Sequence, residues 1–449
     1  MCDAADLDEH GQGHLLAGID ELDPPVRERF VARLREIDWE ELAHPAVPPP
    51  IENVEASRVV RRGELGPLER DLRSAGEAAF RNGAVAVLMV AGGQGTRLGF
   101  PGPKGCLPLA PHSGKTIYGL QAEKVLALSR RVGSPVPLLV LTSPSTDGET
   151  RAFFTDHERF GLEKGQVQLF CQGTVPSVDR KGRALLAAPG TLLENPDGHG
   201  GTFTALVRSG QLGRLRREGV TSLVYIQVDN VLAPIDDPLF VGLGLVERAN
   251  VVTKVLPKRD PDEKVGHLVR VDGRDRVIEY TELTPEDTRR RGPDGEIVYR
   301  WGSPAMHLWS VEFLSRLAER GFRPPLHRSP KPLTAWLEGE HRRVEGFKYE
   351  RFIFDLLPEA ETSLGLEIER GAEFAPVKNA TGENSPETAV AAMHAQYRDW
   401  LEAAGVQVSL PPGGRIEISP LFAATKQGFL ERWDGRVTEI RSDYYLEEE

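Results

Sequence analysis

The sequence has little to offer a disulfide, a zinc cluster or a membrane span. Its three cysteines, Cys2, Cys106 and Cys171, are odd in number and form no CxxC pair. That excludes a disulfide framework and a structural zinc site, and points to a reducing compartment. No uninterrupted apolar run approaches the roughly 18 residues of a membrane helix. The acidic start, MCDAADLDEH, lacks the basic-then-apolar order of a secretory signal, so a cytoplasmic protein is expected. Positive charge is in deficit: 55 Lys and Arg against 67 Asp and Glu leave a net charge of −12. This opposes non-specific attraction to nucleic acid or to an anionic membrane surface. A polyanionic small molecule would have to be collected by a local cluster of cations. Repeats and low-complexity tracts are absent, and nothing in the pattern fixes an oligomeric state. What remains is the composition of an ordinary globular chain, 40% hydrophobic and 27% charged over 449 residues. That length implies more than one core, since single cores rarely grow past roughly 250–300 residues.

The first 45 residues read as helical, with Val26, Phe30, Leu34 and Ile37 recurring on one face among charges. Residues 46–50, Ala-Val-Pro-Pro-Pro, predict an extended connector, and a helix is expected over 65–81. From residue 84 short apolar runs alternate with amphipathic stretches. Strands are expected over 84–90, 137–142, 167–170, 222–229 and 251–255, and helices over 116–132, 150–160 and 202–218. Apolar strands separated by helical connections predict an α/β fold with a mostly parallel sheet covered on both faces. Ligands of such sheets bind beyond the carboxyl ends of the strands, which singles out the residues after Val90, after Thr142 and at Asp229. Residues 267–279 read as a hairpin turning at Asp272-Gly273. The expected division is a helical N-terminal unit over 1–75, a core over 76–330 and a small C-terminal α+β unit over 331–449.

The sharpest local signal follows the first core strand. From Ala91 to Gly99, four of nine residues are glycine: Gly92, Gly93, Gly95 and Gly99. Without Cβ atoms the backbone can approach a ligand closely and present several N–H groups at one point, an arrangement suited to phosphate oxygens. Arg97 and Lys104 add positive charge. A dinucleotide fingerprint fails by one residue, because counting six from Gly93 reaches Leu98. A Walker A loop fails as well: Gly114-Lys115-Thr116 supplies its tail, but Leu109 stands where the first glycine belongs. Ser113-Gly114-Lys115-Thr116 reads instead as a turn entering a helix. Arg289-Arg290-Arg291 reads as a solvated stretch.

Gly92-Gly93-x-Gly95-Thr96-Arg97-Leu98-Gly99 followed by Pro103-Lys104 resembles the uridylyltransferases of the UDP-sugar pyrophosphorylase family, most nearly the UDP-N-acetylglucosamine enzymes. Further matching segments follow in order: Gln172-Gly173, Pro196-Asp197-Gly198-His199-Gly200-Gly201, Val228-Asp229-Asn230, Glu279-Tyr280, Phe347-Lys348-Tyr349 and Pro376-Val377-Lys378-Asn379. The resemblance implies a Rossmann-like (GT-A-type) nucleotide-binding core. The implied reaction joins UTP to a sugar 1-phosphate, giving a UDP-sugar and pyrophosphate by in-line attack on the α-phosphorus, assisted by Mg²⁺. No covalent intermediate is implied, which agrees with the lack of a nucleophile–His–Asp set.

By the same resemblance Arg97, Lys104 and Lys348 are the catalytic cations. Ala91, Gly92, Gly93, Gly95, Thr96, Gln172, Pro196, Gly198 and His199 hold the nucleotide. Gly201, Glu279, Tyr280, Ser303 and Lys378 face the sugar, and Asp229 is the metal ligand. A carboxamide such as Gln172 carries the donor and acceptor that the edge of uracil needs. Two positions depart from the N-acetylglucosamine enzymes, which carry Asn where this chain has Ser303 and His199. The expected acceptor is N-acetylglucosamine 1-phosphate, with glucose 1-phosphate or a broad range of sugar 1-phosphates as the alternative. The alternative of another class is a non-catalytic UDP-sugar sensor, which has no need of Arg97, Lys104, Asp229 and Lys348 together.

Overall fold

A computed structural model describes residues 4–46 and 53–448. Cys2 and most of the expected Pro-rich connector over 46–50 lie outside the described residues. The chain gathers into two compact units, each built from discontinuous segments.

The larger unit takes Ile51–Cys171, Leu206–Gly321 and Leu357–Glu449. It is built on a twelve-stranded sheet. Val85–Val90 is buried at every residue, as a run of Val, Ala, Leu and Met must be when both sheet faces are covered. Ser222–Gln227 and Leu138–Thr142 flank it in parallel, and Val167–Cys171 pairs in parallel beyond Leu138–Thr142. The carboxyl ends of these four strands therefore share one edge. On the other side of Ser222–Gln227 the pairing becomes mixed. His307–Ser310 runs antiparallel to it, and Val251–Pro257 antiparallel to His307–Ser310. Val251–Pro257 thus points the same way as the parallel strands. Ser363–Glu367 pairs with it in parallel, and Trp301–Ser303 antiparallel at its end. The expected hairpin is present as Gly266–Val271 and Arg274–Ile278, turning at Asp272 (φ 48°) and Gly273 (φ 77°).

Helices expected from periodicity are found with shifted ends. Leu68–Arg81 and Ile117–Val132 match, and the Thr116 side chain caps the latter by accepting from the Gly119 N–H at 3.1 Å. The expected helix over 150–160 runs instead as Asp147–Asp156 followed by a tight turn. The single helix expected over 202–218 is two, Gly201–Arg208 and Gln211–Arg217. Gly210 at φ 74° separates them, a conformation that apolar periodicity does not register.

Helix Leu68–Arg81 lies against helix Pro238–Val246 at backbone contact. A Cβ on Gly76 would stand 1.9 Å from the Pro238 carbonyl oxygen, and one on Gly242 would stand 1.7 Å from that of Leu72. Each helix offers a glycine to the other's backbone, so no side chain can relieve an added methyl. Gly242→Ala is expected to cost about 1–3 kcal/mol of stability, the usual range for overpacking. The midpoint of urea unfolding measures it.

The smaller unit takes Met1–Pro50, Gln172–Ala205 and Phe322–Leu356. Its five-stranded sheet runs Val178–Asp179, Glu340–Glu350, His327–Leu337, Leu186–Ala188 and Thr191–Leu192. Phe30, Leu34, Trp39 and Leu42 from the N-terminal helices share one core with Val175, Val178, Ala184, Leu192 and Tyr349. The contiguous division into 1–75, 76–330 and 331–449 is therefore replaced. The hairpin over 327–350 pairs with residues 178–192 and joins the N-terminal helices, while residues 357–449 belong with the large sheet. Such non-local pairing leaves no trace in composition.

Candidate active site

At the carboxyl edge of the large sheet, the Ala91 N–H still donates to the Leu141 carbonyl at 2.8 Å. The chain then leaves the sheet as the glycine-rich loop. The loop folds back on itself: Gly95 N–H donates to Gly102 O at 2.8 Å and Lys104 N–H to Gly93 O at 3.0 Å. A Cβ on Gly95 would stand 2.9 Å from Phe100, so glycine is required there by close approach. Ser143 Oγ donates to the Gly92 carbonyl at 2.7 Å, and Gln94 Nε2 to the Ser145 carbonyl at 2.8 Å. These bonds fix the carbonyls, whereas the N–H groups of Gly92, Gly93 and Gln94 meet no acceptor among the described residues. Free N–H groups on a glycine-rich turn are suited to phosphate oxygens. Thr96 and Arg97 are exposed on the turn Thr96–Leu98, which ends at Gly99 with φ 69°.

Asp229 stands just past Ser222–Gln227, where the Val228 N–H donates to Val90 O at 3.0 Å and joins the two strand ends. Lys104 Nζ lies 2.8 Å from Asp229 Oδ2, with side chains 17% and 12% exposed. The structure thus brings together the loop lysine and the carboxylate that the resemblance assigns to phosphate and metal. Among the described residues no group of three His, Cys, Asp or Glu side chains could enclose a metal. One carboxylate fits Mg²⁺ in its usual manner, in which substrate phosphates and water supply the remaining ligands. Lys378, exposed, follows Val377, whose N–H donates to the Asp229 carbonyl at 2.9 Å.

Ser303 pairs with Gly266 between adjacent strands. A Cβ on Gly266 would stand 3.4 Å from Glu279 Oε1, so Ser303 and Glu279 flank the same glycine. They lie at the end of Val251–Pro257, on the same carboxyl edge as Asp229. Tyr280, 39% exposed, continues from Glu279.

In the smaller unit Gln172 is buried and precedes Gly173, whose carbonyl accepts from the Asp197 N–H at 3.1 Å. Strands Thr174–Pro176 and Glu194–Pro196 pair there, so Gln172 and the loop from Pro196 to Gly201 come together. The glycines of that loop are required by contact. Cβ atoms on Gly198 (φ 81°) and Gly200 would stand 2.6 and 2.5 Å from the Arg351 backbone, and one on Gly201 would stand 1.9 Å from Asp197. His199 Nδ1 accepts from the Ile353 N–H at 3.1 Å, and its ring lies 5.4 Å from those of Phe352 and Phe354. Lys348 is half-buried on Glu340–Glu350, next to Tyr349, which is buried in the core.

Several residues around Asp229 escaped sequence reasoning. Asn230 is buried; its Nδ2 donates to the Glu373 carbonyl at 2.8 Å and its Oδ1 accepts from the Ala375 N–H at 2.9 Å. Lys254, 1% exposed, bonds Asp237 and Glu373 at 2.6 Å each, and Arg62 adds a second bond to Glu373 at 2.6 Å. Burial pushes the Asp237 carboxyl up, but Lys254 and Arg62 outweigh it and hold it down at about 2. Helix Ile117–Val132 reaches the same turn through Gln121 and Lys124. A lysine inside the apolar strand Val251–Pro257 was the one visible signal, since a buried charge demands partners.

The sequence pattern of the UTP–glucose-1-phosphate uridylyltransferase family matches residues 41–397. The chain is 34% identical to the human UDP-N-acetylhexosamine pyrophosphorylase-like protein 1, over 99% of this chain and 96% of that one. It is 34% identical to the UDP-N-acetylglucosamine pyrophosphorylase of Saccharomyces cerevisiae, over 83% of this chain and 80% of that one. Its fold superposes with a TM-score of 0.81 on the UDP-N-acetylglucosamine pyrophosphorylase of Trypanosoma brucei, solved with an inhibitor. That match covers 98% and 97% of the two chains at 28% identity.

Proposed function

The chain belongs to the UTP–glucose-1-phosphate uridylyltransferase family, and from that premise we propose that it couples UTP to N-acetylglucosamine 1-phosphate. The observation that carries the reading is the glycine-rich loop, with its free N–H groups and Lys104, abutting Asp229 at the end of the neighbouring strand. The sugar-phosphate oxygen attacks the α-phosphorus in line; the bond from that phosphorus to the β-phosphate's bridging oxygen breaks, and pyrophosphate leaves.

Such a reaction needs positioning and charge stabilisation more than covalent help. The Gly92, Gly93 and Gln94 amides cradle phosphate oxygens. Arg97, Lys104 and Lys348 neutralise charge on the phosphates, with Lys378 as a further cation. Gln172, with the backbone around Pro196 and Gly198, reads the base. Glu279 accepts hydrogen bonds from sugar hydroxyls, with Tyr280 and Ser303 beside it. Asp229 would hold Mg²⁺, which supplies charge neutralisation for the leaving pyrophosphate when bound. A cytoplasmic setting is part of this reading, supported by Cys106 and Cys171 being free thiols. No helix among the described residues is long and apolar enough to cross a membrane.

The acceptor is tested by pyrophosphate release from UTP with a panel of sugar 1-phosphates. N-acetylglucosamine 1-phosphate is expected to give the highest kcat/KM, and equal turnover of glucose 1-phosphate would reject selectivity for the acetamido group. Ser303→Asn is expected to shift the ratio further toward the acetamido substrate, by about tenfold for one restored hydrogen bond. An unchanged ratio would show that position 303 does not read the sugar. A sensor would bind UDP-sugar yet release no pyrophosphate from any member of the panel.

A further inference from the structure

The turn that carries Asp229 is held by its carbonyl groups. Asp229 O accepts from the Val377 N–H at 2.9 Å. Asn230 O accepts from Gln121 Nε2 at 2.9 Å. Val231 O and Ala233 O both accept from Lys124 Nζ, at 2.7 and 3.1 Å. Gln121 and Lys124 are three residues apart on helix Ile117–Val132, which puts them on one face, one above the other.

Lys124 is an unusual choice for this task. Its acceptors are two neutral carbonyls, and no carboxylate pairs with it among the described residues. Burial pulls its ammonium down to about 7, so placing it here is costly. Leu120, Leu232 and Trp400 surround the same small space, where an apolar side chain would pack without that cost. An ammonium offers what an apolar group cannot: several donors on one atom, able to tie two carbonyls two residues apart. Opposite, the Asn230 side chain binds the Glu373 carbonyl, and the Glu373 carboxylate is itself fixed by Lys254 and Arg62. The turn is therefore held by two sets of groups, and the Asp229 carboxylate reaches Lys104.

We propose that Lys124 is a positioning residue for the reaction: by binding the Val231 and Ala233 carbonyls it sets the Asp229 carboxylate for a divalent cation bound together with the nucleotide. This rests on the role of Asp229 given above, so the two are tested side by side. Outer groups that orient a metal ligand typically matter by about 10–100-fold in metal affinity or activity. Lys124→Met, Lys124→Arg and Asp229→Asn are compared with the parent chain in two measurements. One is Mn²⁺ binding in the presence of UTP, read from the free-Mn²⁺ electron paramagnetic resonance signal. The other is pyrophosphate release as a function of Mg²⁺ concentration.

Lys124→Met is expected to weaken Mn²⁺ binding about tenfold and to raise the half-saturating Mg²⁺ concentration in parallel. KM for the sugar 1-phosphate should stay within about twofold, since a displaced carboxylate does not touch the sugar. Lys124→Arg, which keeps multiple donors, is expected to recover most of the loss. Wild-type Mn²⁺ binding in a folded Lys124→Met chain overturns the proposal. A uniform fall in kcat with unchanged metal dependence overturns it too, because that is the signature of a merely structural role. Should Lys124→Met fail to fold, Lys124→Gln, which can serve one carbonyl, must show intermediate metal affinity, and parent-like affinity there overturns the proposal equally. If Asp229→Asn leaves Mn²⁺ binding intact, it is the assignment of Asp229 that fails. If Asp229→Asn weakens binding and Lys124→Met does not, only the present proposal falls.

Discussion

Asp229→Asn is expected to lower kcat for pyrophosphate release by about 10²–10³-fold at saturating substrates, the scale of losing one electrostatic partner of a transition state. The substitution keeps the shape and hydrogen-bonding capacity of the side chain and removes its charge. The surrounding turn should survive, because its grip acts on backbone carbonyls and on the Asn230 side chain rather than on the Asp229 carboxylate. Lys104 can still donate to the amide oxygen. What is lost is a hard anionic oxygen for a divalent cation, which a neutral amide replaces poorly. The measurement is initial-rate pyrophosphate release across Mg²⁺ concentrations, with far-ultraviolet circular dichroism to check folding. A rate within about threefold of the parent's, under half a step on the tenfold-per-1.36 kcal/mol scale, would remove Asp229 from the chemistry.

How much of this site could be read without coordinates depended on whether the determinant was local. The loop from Ala91 to Gly99 was legible because glycine spacing and a preceding apolar strand are neighbours in sequence, and strand order then places such loops at the carboxyl edge. The position of Asp229 was legible for the same reason, just past the run Ser222–Gln227. Lys124 was not, because at its place in helix Ile117–Val132 a lysine reads as one more solvated charge. Only the packing of that helix against the turn after Asp229 makes it a donor to carbonyls more than a hundred residues away. The part of Glu373, and the bonds by which Asn230 ties the Glu373 carbonyl and Ala375 to the turn, are hidden for the same cause.

Fold reading failed at the same kind of place. The hairpin His327–Leu337 and Glu340–Glu350 pairs with Val178–Asp179 and Leu186–Ala188 across more than a hundred residues. A division drawn along the chain could not anticipate a unit made of three separated segments.

Lys104→Met is expected to be as severe as Asp229→Asn, with kcat/KM for UTP reduced about 10²–10³-fold. The Lys104 backbone is anchored by its N–H bond to the Gly93 carbonyl, so its side chain leaves from a fixed point beside the glycine amides. Methionine retains the length and loses the ammonium. Lys104→Arg is expected to restore little, because a planar guanidinium cannot occupy the position of a compact ammonium held 2.8 Å from Asp229. The sharper expectation concerns the pair. Lys104 and Asp229 touch each other and, in the proposed function, serve the same phosphates, so the double variant Lys104→Met/Asp229→Asn should lose far less than the product of the two single losses. Once either partner is gone the other stands misplaced, and removing it as well costs little more, as is usual for groups that act as a unit. Purely multiplicative losses in a double-mutant cycle of kcat/KM would show that the two residues work independently, and that their contact in the free protein has no bearing on turnover.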